Sequence, residues 1–296
     1  MTVSANKLET EIKVYNEIVR SVRDFYDNPP LAHKLMWNWK EIPTERLRGV
    51  TQIRVKQVRP WTVGFPRWLG NIYANCPEVE VRRLLLEDMG DEDFKDPIGG
   101  DGHVGLQRRM ALALGLSDKD LDEGPFLPEV MAVYYSMEHI SKTKPWIEAL
   151  ACIMGTETLT VGRIPKMYPD MEEFDSKRSG AGGGSLEVYK VLGLSKDDLA
   201  FVWAHDITRL AQWEGKPVEG KPRGTEAKHQ TYIIRTLTEY ARTPEEKKKV
   251  VAMVRLGHGL YKLRFDGIGR AMREYLETGY SPWGPNGWKK ATGNRQ

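Results

Sequence analysis

Apolar residues recur along this chain at steps of three to five, the spacing of helices that turn one face inward. Tyr15, Ile18, Val22 and Phe25 mark one such face, which Asn28-Pro29-Pro30 brings to an end. Leu47, Val50, Ile53, Val58, Trp61, Phe65, Leu69 and Ile72 mark a longer one, in which Pro60 and Pro66 predict kinks. The same spacing predicts helices over 80–93, 102–115, 127–141, 145–163, 186–193, 196–213, 225–242, 244–262 and 265–278. Capping signals agree with these starts. Ser117 and Ser195 precede acidic first turns, Pro145 stands at a first helical position, and Thr243-Pro244-Glu245-Glu246 reads as an N-cap followed by proline and acids. No segment alternates with period two between turns, so strands are a minor component at most. The expected class is all-α.

Two stretches interrupt the pattern. Residues 176–185, SKRSGAGGGS, are flexible by composition; no strand precedes them and no Lys-Ser/Thr pair follows, which argues against a phosphate loop. Residues 213–224, WEGKPVEGKPRG, read as a surface excursion, and helical spacing resumes on both sides. The expected organisation is one domain over 1–280 with a loop-like tail over 281–296.

Composition narrows the class. The 296 residues carry 44 Lys and Arg against 41 Asp and Glu, a net charge of +3, so a dedicated nucleic-acid binder is disfavoured. Only Cys76 and Cys152 are present, which excludes a disulfide scaffold and suits a reducing cytoplasm. No run approaches 18 apolar residues, so no membrane span is expected.

Several ionisable residues fall on apolar helical faces. Glu157 follows Leu150 and Met154; His103 shares a face with Leu106, Met110 and Leu114; Glu92 extends the face of Leu85 and Met89. His205 follows Phe201 and Val202, and Glu226 with His229 forms an ExxH pair whose face continues through Ile233, Leu237 and Tyr240. A buried carboxylate is costly unless paired or bound to a cation. Singly, each residue reads as a hydrogen-bonded core histidine or a buried Glu–Arg pair. Together, spread over five helices, they also match the inward Glu and ExxH ligand set of di-iron or di-manganese bundles, a mixed N/O set suited to those metals over zinc. Spacing alone leaves both readings open.

The run LRGVTQIRVKQVRPWTVGFPRWLGNIYANCPEVEVRRLLLEDMGDED, followed by GDGHVGLQRRMALALGLS, resembles the second and third helices of heme-oxygenase-like proteins of the TenA/PqqC/CADD-like superfamily. More narrowly it is similar to the heme-oxygenase-like diiron oxidases. ALACIMGTETL, DDLAFVWAHD, EAKHQTYIIRTLTEYARTPEEKKKVV and YKLRFDGI extend the resemblance over roughly residues 15–275. It implies a heme-oxygenase-like helical bundle holding two Fe(II) ions with O2 as co-substrate. Carried over position by position, it implies Glu92 as the first metal ligand (with Asp91 and Glu87 as nearby alternatives for that role), then His103, Glu157 and His205. The family's terminal His-x3-Asp-x2-His run is altered here: Arg209 and Gln212 stand where its last two ligands would fall. The carboxylate-x2-His element reappears as Glu226 and His229 after the 213–224 excursion, and a split ligand helix that still reaches the metals is favoured over an incomplete second site.

The resemblance further implies oxidation of a small metabolite, favouring a free amino acid, by desaturation, C–C fragmentation or N-oxygenation. Arg163, Arg209 and Arg264 are candidates for a substrate carboxylate, and Tyr134, beside Tyr135, for the pocket wall. The alternatives are a fatty-acid-cleaving diiron oxidase, a cofactorless PqqC-like oxidase, a TenA-like hydrolase with an active-site cysteine, and a helical interaction protein without catalysis. Partners beyond a small molecule are not expected, save a homodimer.

Overall fold

The computed structural model describes residues 5–96, 100–160, 163–164, 170–176, 186–205, 213–214 and 225–284; for 5–8, 163, 175, 186 and 225–231 it describes the backbone alone. The predicted helices are present, with informative changes at their ends. α1 spans Ala5–Asp27 and buries Tyr15, Ile18, Val22 and Phe25, and α2, Leu31–Trp37, starts directly after the proline pair. The sequence reading did not anticipate α2, because seven residues are too few to display a period.

The longest early helix, α3, spans Thr44–Asn75 without a break at Pro60 or Pro66. A proline inside a helix removes one backbone hydrogen bond at a cost of about 3 kcal/mol. α3 withstands this because it packs against so much of the protein: α4 (Val79–Asp93), α5 (His103–Ala113), α7 (Pro128–Thr143) and α8 (Trp146–Ile153) all lie on it. Burial of each large aliphatic side chain along it, such as Ile53, Leu69 and Ile72, contributes about 1.5–3 kcal/mol. Between α5 and α7 lies α6, Asp118–Asp122, opened by a capping box in which Ser117 accepts from the Asp120 backbone and the Asp120 carboxylate accepts from the Ser117 backbone.

Three expectations are corrected. The helix expected over 145–163 ends at Ile153 and tightens into a 3-10 segment over Met154–Leu159. The helix expected over 196–213 is shorter: a 3-10 turn over Asp197–Leu199 leads into α10, Ala200–His205, and 206–212 lie outside the described residues. The pair expected over 244–262 and 265–278 is a single 35-residue helix, α12, Pro244–Thr278. Thr243 caps its start with Glu246 in a second capping box, and Gly279, at φ 74°, ends it in the left-handed region that glycine adopts freely. α9 (Leu186–Val191) and α11 (Thr225–Tyr240) complete the helices of the described residues. Two short strands, β1 (Arg163–Ile164) and β2 (Phe174–Asp175), pair antiparallel with Ile164 opposite Phe174.

α12 is the spine of the second half. It packs along α8, α2, α3, α1 and α7, so the core lies between α3 and α12 with the shorter helices around them. Among the described residues, no helix is long and apolar enough to cross a membrane.

Candidate metal and substrate site

One cavity of about 100 Å³ opens within this core. Glu92 from α4, His103 from α5, Glu157 from the 3-10 segment and His205 from α10 all line it. Four of the six expected metal ligands, from four separate elements, therefore meet in one space. The other two, Glu226 and His229, stand on α11, but their side chains lie outside the described residues.

Local structure accounts for each placement. Glu92 sits in the last turn of α4, one turn after Asp88, and both carboxylates are buried. The chain then returns so closely that a Cβ at Gly102 would lie 2.7 Å from the Glu92 carbonyl oxygen. Only glycine permits that approach without a shift. The return puts His103, the first residue of α5, against α4: its Nδ1 is 2.9 Å from Glu92 Oε1, and its Nε2 is 3.4 Å from Asp96 Oδ2. Burial opposes a charge on this imidazole. The Glu92 and Asp96 carboxylates outweigh it and raise the His103 pKa from 6.5 to about 10.

His205 closes α10, where its Nδ1 lies 2.7 Å from the Phe201 carbonyl oxygen. A carbonyl can only accept, so Nδ1 carries the hydrogen. The two histidine rings stack with centroids 4.5 Å apart. Glu157 is 6% exposed, and the tight turn fixes it through its own carbonyl, which accepts from the backbone and hydroxyl of Thr160.

The donor set suits iron or manganese: imidazole and carboxylate, water largely excluded, with neither thiol lining the cavity. Among the described residues, no three His, Cys, Asp or Glu groups converge closely enough as placed to hold an ion. Glu92, His103, Glu157 and His205 share the cavity wall and could hold one only if their side chains moved closer together.

Three further residues belong to this region and escaped the sequence reading. Asp96 is fully buried on a loop, where no helical period draws attention to it. Asp88 accepts a hydrogen bond from the Tyr232 hydroxyl of α11. Burial first, then the charges of Asp88 and Glu157, push the Tyr232 pKa well above 10, so this phenol keeps its proton. The helical step from Asp88 to Glu92 was the one available signal.

The substrate candidates divide. Arg264 lines the cavity and is 2% exposed. Arg209 lies outside the described residues, as does the side chain of Arg163. Tyr134 does not line the cavity: its ring packs on Trp68 at 5.5 Å, and its hydroxyl accepts from Arg67. Tyr135 is 62% exposed. Both cysteines are buried away from the cavity, and burial raises their pKa values, that of Cys152 to about 12. Neither is a poised thiolate of the kind the hydrolase reading requires.

The fold is heme-oxygenase-like. A solved protein of unknown function with that fold from Shewanella denitrificans superimposes with a TM-score of 0.59 at 15% identity, over 95% of this chain and 98% of that one. Residues 54–181 match the family of iron-containing redox enzymes, a stretch that includes Glu92, His103 and Glu157 and stops before His205. A 4-aminobenzoate synthase of Chlamydia pneumoniae is 30% identical over 100 residues, 34% of this chain and 42% of that protein. A pyrroloquinoline-quinone synthase of Klebsiella pneumoniae is 27% identical over 169 residues, 54% of this chain and 64% of the relative. The alignments thus span less than two thirds of each curated relative. The chain shares its fold with heme-oxygenase-like proteins and resembles the iron-containing redox enzymes over part of its length.

Proposed function

We propose that this protein is an oxidoreductase of the iron-containing kind, a non-heme diiron enzyme that uses O2 to oxidise a small metabolite. Glu92, His103, Glu157 and His205, with Glu226 and His229, would hold the metals. The supporting observation is that four of these six donors, drawn from four elements, line one buried cavity. Buried carboxylates are costly unless paired or bound to cations, and divalent ions here would compensate them beyond what His103 and the arginines of the cavity wall do.

When bound, two ferrous ions supply the electrons and open coordination positions at which O2 is reduced. The protein's own groups do the rest. Asp96 accepts from His103 Nε2 and the Phe201 carbonyl accepts from His205 Nδ1, so each ring is held in one orientation. Tyr232 donates to Asp88 and steadies the helix turn that carries Glu92. Val55, Val58, Phe65, Met110 and Phe201 keep bulk water from the cavity, and Arg264 presents a cation to an anionic substrate. A free amino acid or related carboxylate fits that arrangement, oxidised by desaturation, C–C fragmentation or N-oxygenation.

Anaerobic reconstitution with Fe(II) tests the reading. About two irons per chain and amino-acid-stimulated O2 consumption are expected; a protein that binds no iron is not this enzyme, and the cofactorless oxidase would take its place.

A further inference from the structure

Arg264 is an unusual charged group, 2% exposed among aromatic rings. Its guanidinium carbon lies 4.1 Å from the centroid of Trp61, 4.6 Å from Phe265 and 4.9 Å from Tyr261. These ring faces hold the charge by cation–π attraction, which consumes none of its N–H donors. Nε and Nη1 are sealed from solvent and have no hydrogen-bond partner, while the Tyr261 side chain hydrogen-bonds the guanidinium as well as facing it. A second guanidinium, Arg54, is buried on α3, lines the same cavity and lies 6.0 Å from the Phe265 ring. Burial and the like charge of Arg54 both act against the cation on Arg264, while Tyr261 and the field of Glu157 support it.

An orphaned buried donor costs about 1–3 kcal/mol, more when charged. Two like charges on one apolar wall add to that. Unpartnered N–H groups on a buried guanidinium are donors that a carboxylate would satisfy by charge-assisted hydrogen bonds. The surrounding walls are rings and aliphatic groups, Trp61, Phe65, Phe265 and Val58 among them, so whatever lies behind the carboxylate is apolar and flat.

We infer that the end of the cavity caged by Trp61, Tyr261 and Phe265 is the binding subsite for an organic monocarboxylate with an aromatic body, its carboxylate held by Arg264 beside Arg54. This rests on the reading of the cavity as the substrate site and narrows the substrate to an aromatic acid or aromatic amino acid. The rings serve twice: their faces hold the guanidinium, and their edges pack the ligand's body.

Binding to metal-free protein in the presence of a chelator tests the subsite apart from any oxidase chemistry. Phenylacetate is titrated calorimetrically against its neutral isostere phenylacetamide, against acetate, which lacks the ring, and against inorganic phosphate. Phenylacetate is expected to bind at least about tenfold more tightly than each of the other three. Arg264→Gln should abolish that preference, and Arg264→Lys, which keeps the charge but not the fork, should restore only part of it. Equal binding of phenylacetamide or acetate, a preference for phosphate, or no binding at all overturns the proposal. The ligand series is measured on the unaltered protein, so it decides the matter even where a variant fails to fold. If phenylacetate fails while the iron-loaded protein still consumes O2, the subsite falls and the enzyme reading stands; if phenylacetate binds and iron does not, the subsite stands and the enzyme reading falls.

Discussion

His103 and Glu92 are eleven residues apart in the chain, yet Nδ1 of one lies 2.9 Å from Oε1 of the other, with both side chains buried. Their meeting is produced by the loop between α4 and α5, which turns back on the last turn of α4 and delivers the first residue of α5 beside it. The contact joins the first two candidate ligands in chain order, and Asp96 from the same loop takes the other ring nitrogen at 3.4 Å. The loop is thus part of the site.

Asp96 should therefore matter to metal uptake without touching the metal. A carboxylate that holds a ligating imidazole typically contributes 10–100-fold to metal affinity. Asp96→Ala is expected to weaken Fe(II) binding by about that factor in an anaerobic competition titration with a chromogenic chelator. The helical circular dichroism should stay unchanged. Wild-type affinity in the variant would show that Asp96 is only a filler of buried space.

The close return of the loop gives a second expectation. At Gly102 an added methyl would meet the Glu92 carbonyl and the backbone of Asp93, neither of which can swing aside as a side chain does. Gly102→Ala should cost about 1–3 kcal/mol in urea unfolding, the usual range for overpacking. It should also separate His103 from Glu92 and lower iron stoichiometry. Gly90, whose Cβ would meet nothing within 4 Å, is the control: Gly90→Ala should retain full iron binding.

How much of this was legible beforehand follows from where each signal resides. Period-3.6 spacing revealed α1, α3, α7 and α12 because each buries a continuous stripe over many turns. The same rule divided α12 in two, since the sequence offers no cue that the helix continues through Leu263 and Arg264. It also extended the helix carrying Glu157, where the backbone instead tightens at Met154. Glu92, His103, Glu157 and His205 stood out as polar residues on apolar faces. Asp96 could not, because a loop has no face. Arg264 was chosen for its position near the ligand faces, whereas its aromatic cage draws on Trp61 of α3, some two hundred residues earlier, a juxtaposition that only the packing of α3 on α12 creates.

The ExxH pair of α11 is open to direct test. Glu226 and His229 fall at helical spacing on α11, and their side chains lie outside the described residues. If they complete the metal set, His229→Ala abolishes O2-dependent turnover and removes at least one iron per chain while leaving the thermal midpoint within a few degrees. Shortening the 213–224 excursion should lower activity in the same way if that stretch positions Glu226 and His229. Full turnover in His229→Ala would strike it from the ligand set, and full activity in the shortened protein would make the excursion a passive surface loop.

His258, on α12, sets a pH dependence of stability. Its Nε2 lies 3.0 Å from the Gly155 carbonyl, which can only accept, so Nε2 carries the hydrogen. Nδ1 then accepts from the Ser21 hydroxyl at 2.7 Å. This neutral tautomer has both nitrogens engaged, and complete burial, opposed in part by the Gly155 bond, lowers the pKa from 6.5 to about 4. Above pH 6.5 neither the folded nor the unfolded chain protonates this ring, and it contributes no slope. As pH falls from 6.5 toward 4, the unfolded chain takes up a proton that the folded chain refuses, so stability is lost across that window. The loss approaches roughly 3 kcal/mol at its lower end. Carboxylates titrate there as well, so the informative quantity is the difference between wild type and His258→Gln in urea unfolding at pH 7 and pH 4.5. Glutamine keeps a donor and an acceptor but takes no proton. The variant should be the less stable protein at pH 7, and most of that deficit should vanish by pH 4.5; a deficit that stays constant with pH would mean that His258 does not remain neutral in the fold.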